Sequence, residues 1–327
     1  MILVTGATGH LGNVLVKKLI NRGLDVRVLT LPGDDTRAIS GMDFENVSGD
    51  ITDYDSILSA FDDIDVAFHL AGIISIMPGQ DELLYRVNVE GTRNVVEACL
   101  ENDVNRLIYT SSVHALMEPP HGTQIDEKCH YRPEYSRGGY DRTKAQASLE
   151  ILKGVKKGLD GVIVCPSGII GPCDYNVSQM GQLILNYMNG DLRAYIDGAY
   201  DFVDVRDVAE GLILACNRGK VGESYILSGE KITVQELMDE LEEITGVKRP
   251  WLKFPHWVAI AAGKLAPLYY RNPAKKPLFT SYSAEVLVSN CDISNLKARE
   301  DLGYNPRPIK ESLEDSVEWF KNNLFKK

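Results

Sequence analysis

Among fifteen tyrosines, only Tyr140 has a lysine four residues on, at Lys144. On a helix an i, i+4 pair projects from one face. The ammonium is then expected to draw the phenol pKa down from about 10 toward the range a general acid/base needs. A lysine so placed can also hold a ribose hydroxyl of a nicotinamide nucleotide. Upstream, a strand-like segment ends at Thr110 and is followed by Ser111 and Ser112, hydroxyls suited to orienting a substrate oxygen. Alone, Tyr-x-x-x-Lys says little, because a surface tyrosine beside a solvated lysine has the same spacing. It gains meaning from a second feature at the N-terminus.

There the chain runs Thr5-Gly6-Ala7-Thr8-Gly9-His10-Leu11-Gly12, after a short apolar run and before an amphipathic one. In a strand-turn-helix context Gly6 permits the tight turn and Gly9 lets the backbone approach a pyrophosphate. Gly12 lets the helix pack close to the strand. The helix start supplies N–H donors and a partial positive charge to the phosphates. The bland alternative is an ordinary Gly-rich turn, and His10 is expected to be an exposed loop residue. The choice between NAD and NADP is read where the second strand ends. That position is Thr30, followed by Leu31, Pro32 and Gly33, so neither a carboxylate nor an arginine marks it. Asp34, Asp35 and Arg37 lie just beyond and serve either nucleotide; the cofactor is NADP or NAD.

The elements that must position these groups follow from periodicity. Leu11–Arg22 carries helical spacing at Leu11, Val14, Leu15 and Leu19. Asp25–Thr30, Asp65–Leu70, Arg106–Thr110 and Gly161–Cys165 are strand-like, and Leu83–Leu100 and Tyr140–Lys156 are long helix candidates. Strands alternating with helices predict right-handed crossovers and a parallel sheet covered on both faces. After Pro166 the segments shorten and prolines cluster between Pro250 and Pro277. This is the mark of a smaller substrate-side domain. The expected division is a nucleotide-binding domain over 1–170 and a mainly substrate-binding one over 171–327, with segments near 200–217 and 283–292 returning to the first.

Composition narrows the class. The chain has 327 residues, 44% of them hydrophobic, which excludes intrinsic disorder. A formal charge of −11 argues against a nucleic-acid partner. No stretch reaches the roughly 18 apolar residues of a membrane span; the nearest, Trp257–Tyr270, is broken by Lys264 and Pro267. No basic region precedes the first apolar run, so no signal peptide is expected. The six cysteines are scattered without a Cys-x-x-Cys pair, the pattern of reduced thiols in a cytoplasmic protein.

Taken together, these motifs resemble the extended short-chain dehydrogenase/reductase superfamily over nearly the whole chain. The matching pieces are GATGHLG (Gly6–Gly12), GDITD (Gly49–Asp53), HLAG (His69–Gly72) and NVEGTRNVVEAC (Asn88–Cys99). Further along come YTSS (Tyr109–Ser112), YDRTK (Tyr140–Lys144), PSGIIGP (Pro166–Pro172) and FVDVRDVA (Phe202–Ala209). The resemblance implies an α/β Rossmann fold, a doubly wound parallel sheet of about seven strands with a smaller C-terminal substrate-binding domain, and hydride transfer at a nicotinamide. In that light Tyr140 is the acid/base, Lys144 grips the ribose, and Ser112 positions the substrate oxygen, with Ser111 second in line. Asp50 and Ile51 would flank the adenine, and Leu70, Ala71 and Gly72 would line the cofactor. Asn88 and Thr110 complete its surroundings, and Pro166, Ser167 and Ile169 lie toward the carboxamide end.

The superfamily divides into carbonyl/alcohol oxidoreductases and nucleotide-sugar epimerases or dehydratases. Sugar-nucleotide members commonly carry an Arg-Tyr-x-Asn stretch where this chain has Cys165-Pro166-Ser167-Gly168, and often an arginine clamp where it has Tyr200. A diphosphate wants charge-assisted bidentate partners. The expected activity is therefore an NAD(P)-dependent dehydrogenase or reductase, similar to the dihydroflavonol-4-reductase and 3β-hydroxysteroid dehydrogenase groups. The C-terminal half is also similar to hopanoid-associated sugar epimerases. A nucleotide-sugar enzyme is the alternative, and a non-catalytic dinucleotide sensor the third.

Other constellations have plainer readings. His114, His121, Cys129 and His130 share a loop, but their spacings match no compact metal signature. No metal is expected, and His114 is the member nearest the pocket. His69 ends a buried strand and is expected to be a satisfied core histidine. Trp257–Tyr270 could meet a membrane or an apolar substrate; the plainer expectation is a helix packed on the small domain. The two long helices would lie on one side of the sheet and, in the family, pair across a two-fold axis as a homodimer. The partner that remains is a small-molecule substrate, with specificity set by 115–139, 173–200 and 250–282.

Overall fold

Residues 1–75, 79–255, 258 and 281–324 are described by the computed structural model. Trp257–Tyr270 therefore lies, Val258 excepted, outside the described residues, as does much of 250–282. In chain order the strands begin with β1 (Ile2–Thr5), β2 (Val26–Thr30), β3 (Glu45–Ser48), β4 (Val66–His69), β5 (Arg106–Thr110) and β6 (Gly161–Pro166). They continue with β7 (Gly168–Ile170), β8 (Ala194–Ile196), β9 (Ala199–Asp204), β10 (Ser224–Leu227), β11 (Glu230–Thr233) and β12 (Leu252–Phe254). Seven of these form one sheet in the order β10-β6-β5-β4-β1-β2-β3, every pair parallel. The strand order reverses between β1 and β4, which opens a crevice at their C-terminal ends.

The helices are α1 (His10–Ile20), α2 (Tyr54–Ile57), α3 (Asp81–Leu84), α4 (Gly91–Glu101), α5 (Gly139–Lys156), α6 (Gln179–Met188), α7 (Val205–Arg218) and α8 (Val234–Thr245), with a C-terminal helix at Ile309–Asn323. A π-helical turn at Tyr85–Glu90 joins α3 to α4, so the predicted Leu83–Leu100 helix is one run with a widened turn. Side chains alternate across a strand, and the sheet builds two cores accordingly. Val4, Val28 and Val164 meet α1 and α7 through Leu15, Leu19, Val208 and Leu212. Leu3, Leu107 and Ile163 meet α4 and α5 through Val95, Cys99, Ala147 and Ile151 on the other face. The long helices thus share one side of the sheet, as predicted. Gly154 of α5 sits so near α4 that a methyl there would come 2.6 Å from Val96.

A third core lies beyond the crevice. Strands β11, β9 and β7 form a small sheet, on which α6, α8 and the C-terminal helix gather Ile184, Tyr187, Leu237, Leu241, Leu313 and Phe320. Full burial of each such side chain contributes about 1.5–3 kcal/mol. Strand β8 pairs with β12 at its margin. The residues after 171 return to the main sheet through α7 and β10. Among the described residues no helix is long and apolar enough to cross a membrane.

Candidate active site

Three elements converge on the crevice: β1 delivers the glycine loop, β5 ends at Thr110 and leads into Ser111 and Ser112, and α5 presents Tyr140 and Lys144. One cavity of about 490 Å³ runs from Gly6, Gly9 and Gly12 past Ser112, Tyr140 and Lys144 to Tyr200 and Leu237.

The loop end of this cavity is shaped by missing side chains. Gly6 has φ +73°, and a methyl there would approach the Ala71 nitrogen to 2.6 Å. A methyl on Gly12 would stand 2.1 Å from the Gly6 carbonyl oxygen. Gly9 starts α1 with no side-chain cap and no acid in the first turn, leaving a positive helix end toward the cleft. Leu11 lines the same end. His10 is half-buried, not exposed as predicted, because its Nε2 meets the Pro172 carbonyl at 2.9 Å. Thr8 donates its hydroxyl to Asp34 at 2.7 Å.

At the α5 end of the cavity the tyrosine and lysine share a face of the helix, as predicted. Tyr140 and Ser112 both line the cavity, and the Ser112 Oγ accepts the His114 N–H at 3.2 Å. Ser111 is instead spent on Ser148, with the two Oγ atoms 2.7 Å apart. Lys144 is 6% exposed. Its Nζ donates to the Thr110 carbonyl at 2.8 Å and lies 5.0 Å over the Tyr109 ring. Burial lowers its pKa to about 8. The predicted lowering of the phenol by this ammonium is not found. Burial dominates and raises Tyr140 above the ordinary phenol range, with the nearby Ser112 hydroxyl acting the other way. The ammonium is directed at the Thr110 carbonyl instead.

Several residues named from the sequence for the cofactor lie on the cavity. Leu70, Gly72, Thr110, Pro166, Ser167 and Ile169 line the cavity, and the Ala71 N–H is held by the Thr5 hydroxyl at 3.2 Å. The Thr110 hydroxyl oxygen is buried without a hydrogen-bond partner. Asp50 accepts the Thr52 N–H at 2.9 Å, and Ile51 packs against Gly91.

Three others are corrected. Asn88 is buried, its amide spent on both polar groups of the Ile73 backbone at 2.8 and 3.1 Å; it holds the loop after β4 instead of facing the cleft. Thr30 is buried with its hydroxyl donated to Asn46 at 2.9 Å. Arg37 is an exposed surface residue bound to Asp35. His69 is a core histidine, as predicted: it is 0% exposed, contacts Thr5 and Thr92, and is held neutral by burial with a pKa of about 3.

Sequence reasoning named His114 and Tyr200 separately, and missed the pairs that build the far wall. The Tyr200 hydroxyl lies 2.6 Å from His114 Nε2 with the rings stacked, and burial lowers His114 to about 4. Tyr282 donates to Asp141, which burial raises to about 6. These pairs are 86 and 141 residues apart in sequence, so no local signal announces them. Among the described residues no three His, Cys, Asp or Glu side chains gather into a metal site. The glycine cradle, the open helix end, the unpartnered Thr110 hydroxyl and Lys144 together fit a nicotinamide dinucleotide.

Sheet order and cleft define a Rossmann enzyme of the extended short-chain dehydrogenase/reductase type. The chain belongs to the NAD-dependent epimerase/dehydratase family, whose model matches residues 2–228. It is 35% identical to sterol demethylase protein B of Methylococcus capsulatus, over 98% of each chain. It is 31% identical to 3β-hydroxysteroid-dehydrogenase/decarboxylase isoform 1 of Arabidopsis thaliana, over 98% of this chain and 79% of that one. The crystal structure of gox2253 superposes with a TM-score of 0.88 at 34% identity, covering 100% of this chain and 99% of the other.

Proposed function

We propose that the protein is a nicotinamide-dependent oxidoreductase interconverting a ketone and a secondary alcohol on an uncharged, largely apolar substrate. The observation that carries this is the wall beyond Tyr140. Met180, Leu183, Leu192, Phe202, Ile232 and Leu237 line it, and the described cavity lining contains no arginine, aspartate or glutamate. A sugar diphosphate would bury its charge there without a bidentate partner, at a cost of several kcal/mol. At the place of an arginine clamp stands Tyr200, neutral and bound to neutral His114. Two relatives bear names that refer to sterol or steroid chemistry, in keeping with an apolar substrate.

In this account Tyr140 gives a proton to the substrate oxygen during reduction and takes it back during oxidation. Ser112 supplies the second hydrogen bond that fixes that oxygen and favours its anionic form in the transition state. Lys144, anchored on the Thr110 carbonyl, holds the nicotinamide ribose, and the glycine loop holds the diphosphate. The bound nicotinamide supplies or accepts the hydride. The apolar wall excludes water and orients the hydrocarbon part of the substrate.

The test is turnover of an apolar pair such as androsterone and its 3-ketone, followed by nucleotide absorbance. Wild type is expected to turn over, and Tyr140→Phe to lose about 10²-fold or more in kcat with nucleotide affinity kept. A melting temperature raised several degrees by UDP-glucose, with no turnover of the apolar pair, would point to the nucleotide-sugar reading instead.

A further inference from the structure

Beyond Tyr140 the cavity wall holds two polar rings that the proposed proton transfer does not use. Tyr200, on β9, is 9% exposed. Its ring lies where β7 has no side chain: a methyl on Gly168 would come 2.8 Å from Tyr200 Cε1. Phe202 meets the same ring edge-on, with centroids 5.4 Å apart. His114 sits in the short turn Val113–Ala115 that Ser112 caps, and its ring stacks on Tyr200 at an interplanar angle of 12°. The backbone N–H of His114 is given to Ser112 Oγ. Its side chain is left for Tyr200, with Nε2 2.6 Å from the phenol oxygen. Both rings line the cavity.

Both partners are uncharged. Burial keeps the imidazole neutral, with a pKa of about 4, and holds the Tyr200 phenol well above its ordinary range. A neutral imidazole has one N–H and one bare nitrogen, and a phenol has one O–H and accepting lone pairs. If Tyr200 donates to Nε2, the Nδ1–H remains as a donor and the phenol oxygen as an acceptor. If Nε2–H donates instead, the phenol O–H remains as a donor and Nδ1 as an acceptor. Either tautomer leaves one donor and one acceptor over. Among the described residues neither side chain makes another hydrogen bond. A wholly hydrocarbon ligand would cover these groups and leave them unpaired, which is unfavourable. An anion is poorly matched, because Arg137, whose charge reaches His114, is paired with Glu118 at 2.6 Å.

We propose that the His114–Tyr200 pair is a specificity site that hydrogen-bonds a second, uncharged oxygen of the substrate, so that the preferred substrate is an apolar ketone or alcohol bearing a further carbonyl or hydroxyl group. The proposal rests on the cavity being the substrate site of a ketone–alcohol oxidoreductase. A carbonyl matches the spare donor, and a hydroxyl matches donor and acceptor together. The pair holds this second oxygen while Tyr140 and Ser112 take the reacting one, and two fixed points orient the skeleton between them. Discrimination comes from the buried groups that a poorer ligand leaves unpaired.

Calorimetric binding to the full-length protein saturated with NAD, whose oxidised ring cannot reduce a ketone, tests this without turnover. The probes are androstan-3-one and the three androstane diones with a second carbonyl at ring carbon 6, 11 or 17. In a purely hydrocarbon wall an added carbonyl weakens binding. Here at least one dione is expected to bind at least about fivefold more tightly than the mono-ketone. The double variant His114→Phe with Tyr200→Phe removes the spare donor and acceptor. In it the same dione should bind no more tightly than the mono-ketone, with circular dichroism and NADH affinity matching wild type. A wild type in which no dione reaches that margin, or a preference that survives in the folded double variant, would overturn the proposal. The wild-type comparison needs no substitution, so it decides even where the double variant does not fold. Binding of neither mono-ketone nor diones would overturn the oxidoreductase reading itself, whereas equal binding of all four would overturn the specificity site alone.

Discussion

Two adjacent serines after β5 separate cleanly by their partners. Ser112 shares the cavity with Tyr140 and accepts the His114 N–H, whereas the Ser111 hydroxyl is tied to that of Ser148. Ser112→Ala should therefore lower kcat by about 10-fold to 10²-fold at nearly unchanged melting temperature, removing one oxyanion donor. Ser111→Ala should instead lower stability by about 1 kcal/mol and leave kcat within a few-fold. Reversed outcomes in paired kinetic and urea-melt measurements would exchange the two roles. Lys144 makes a pH prediction. Its pKa is about 8 in the fold against about 10.4 in an unfolded chain. Between these values the unfolded chain binds the extra proton, so stability rises with pH. Lys144→Met lacks that gain. Urea melts from pH 7.5 to 10.5 should shift the stability difference toward wild type by up to about 3 kcal/mol. A difference that stays flat would mean the lysine is not desolvated in the fold.

At the scale of elements, the strand-turn-helix at the N-terminus is tightly constrained. Gly12→Ala puts a methyl 2.1 Å from the Gly6 carbonyl oxygen, so α1 must move away from the loop. NADH affinity, read by fluorescence titration, should fall at least about tenfold; affinity within twofold of wild type would mean the loop is not the cradle. This unit was legible because its signals are local: a buried apolar run, three glycines at fixed spacing, then helical periodicity. The same holds for α5, whose Tyr140 and Lys144 are one turn apart. The small sheet of β7, β9 and β11 was not legible. Gly168–Ile170 is three residues long and pairs with a strand more than thirty residues on, too short for a period to show. Asp34 was visible as a residue, yet its hydrogen bond with Thr8 spans 26 residues and leaves no local signal. Asn88 misled for the converse reason: its motif is local, but its amide is consumed by the Ile73 backbone.

Over the whole molecule, the crevice joins two unlike halves. One is polar and backbone-rich, set by the glycine loop and the ends of β1, β4 and β5. The other is a hydrocarbon wall contributed by α6, α8 and β9. Charge placed in the second half should be felt there alone. Leu237 is 3% exposed, and Leu237→Asp would set a carboxylate in the wall lined by Met238, Leu183 and Ile232, where the lining holds no arginine and its lysine, Lys144, is spent on the Thr110 carbonyl. Calorimetry should show apolar alcohol binding reduced at least about tenfold with NADH affinity within about twofold. Equal losses of both would mean the two halves are not separate sites.

The most direct measurement follows the hydrogen. The protein is incubated with NADH carrying deuterium on the transferring face of C4 and with a polycyclic ketone, and the product is read by mass spectrometry and NMR. One deuterium is expected on the carbinol carbon for the wild type, formed at least about 10²-fold more slowly by Tyr140→Phe. Ketone recovered unlabelled, while UDP-glucose is converted to its epimer by the same preparation, would contradict the account.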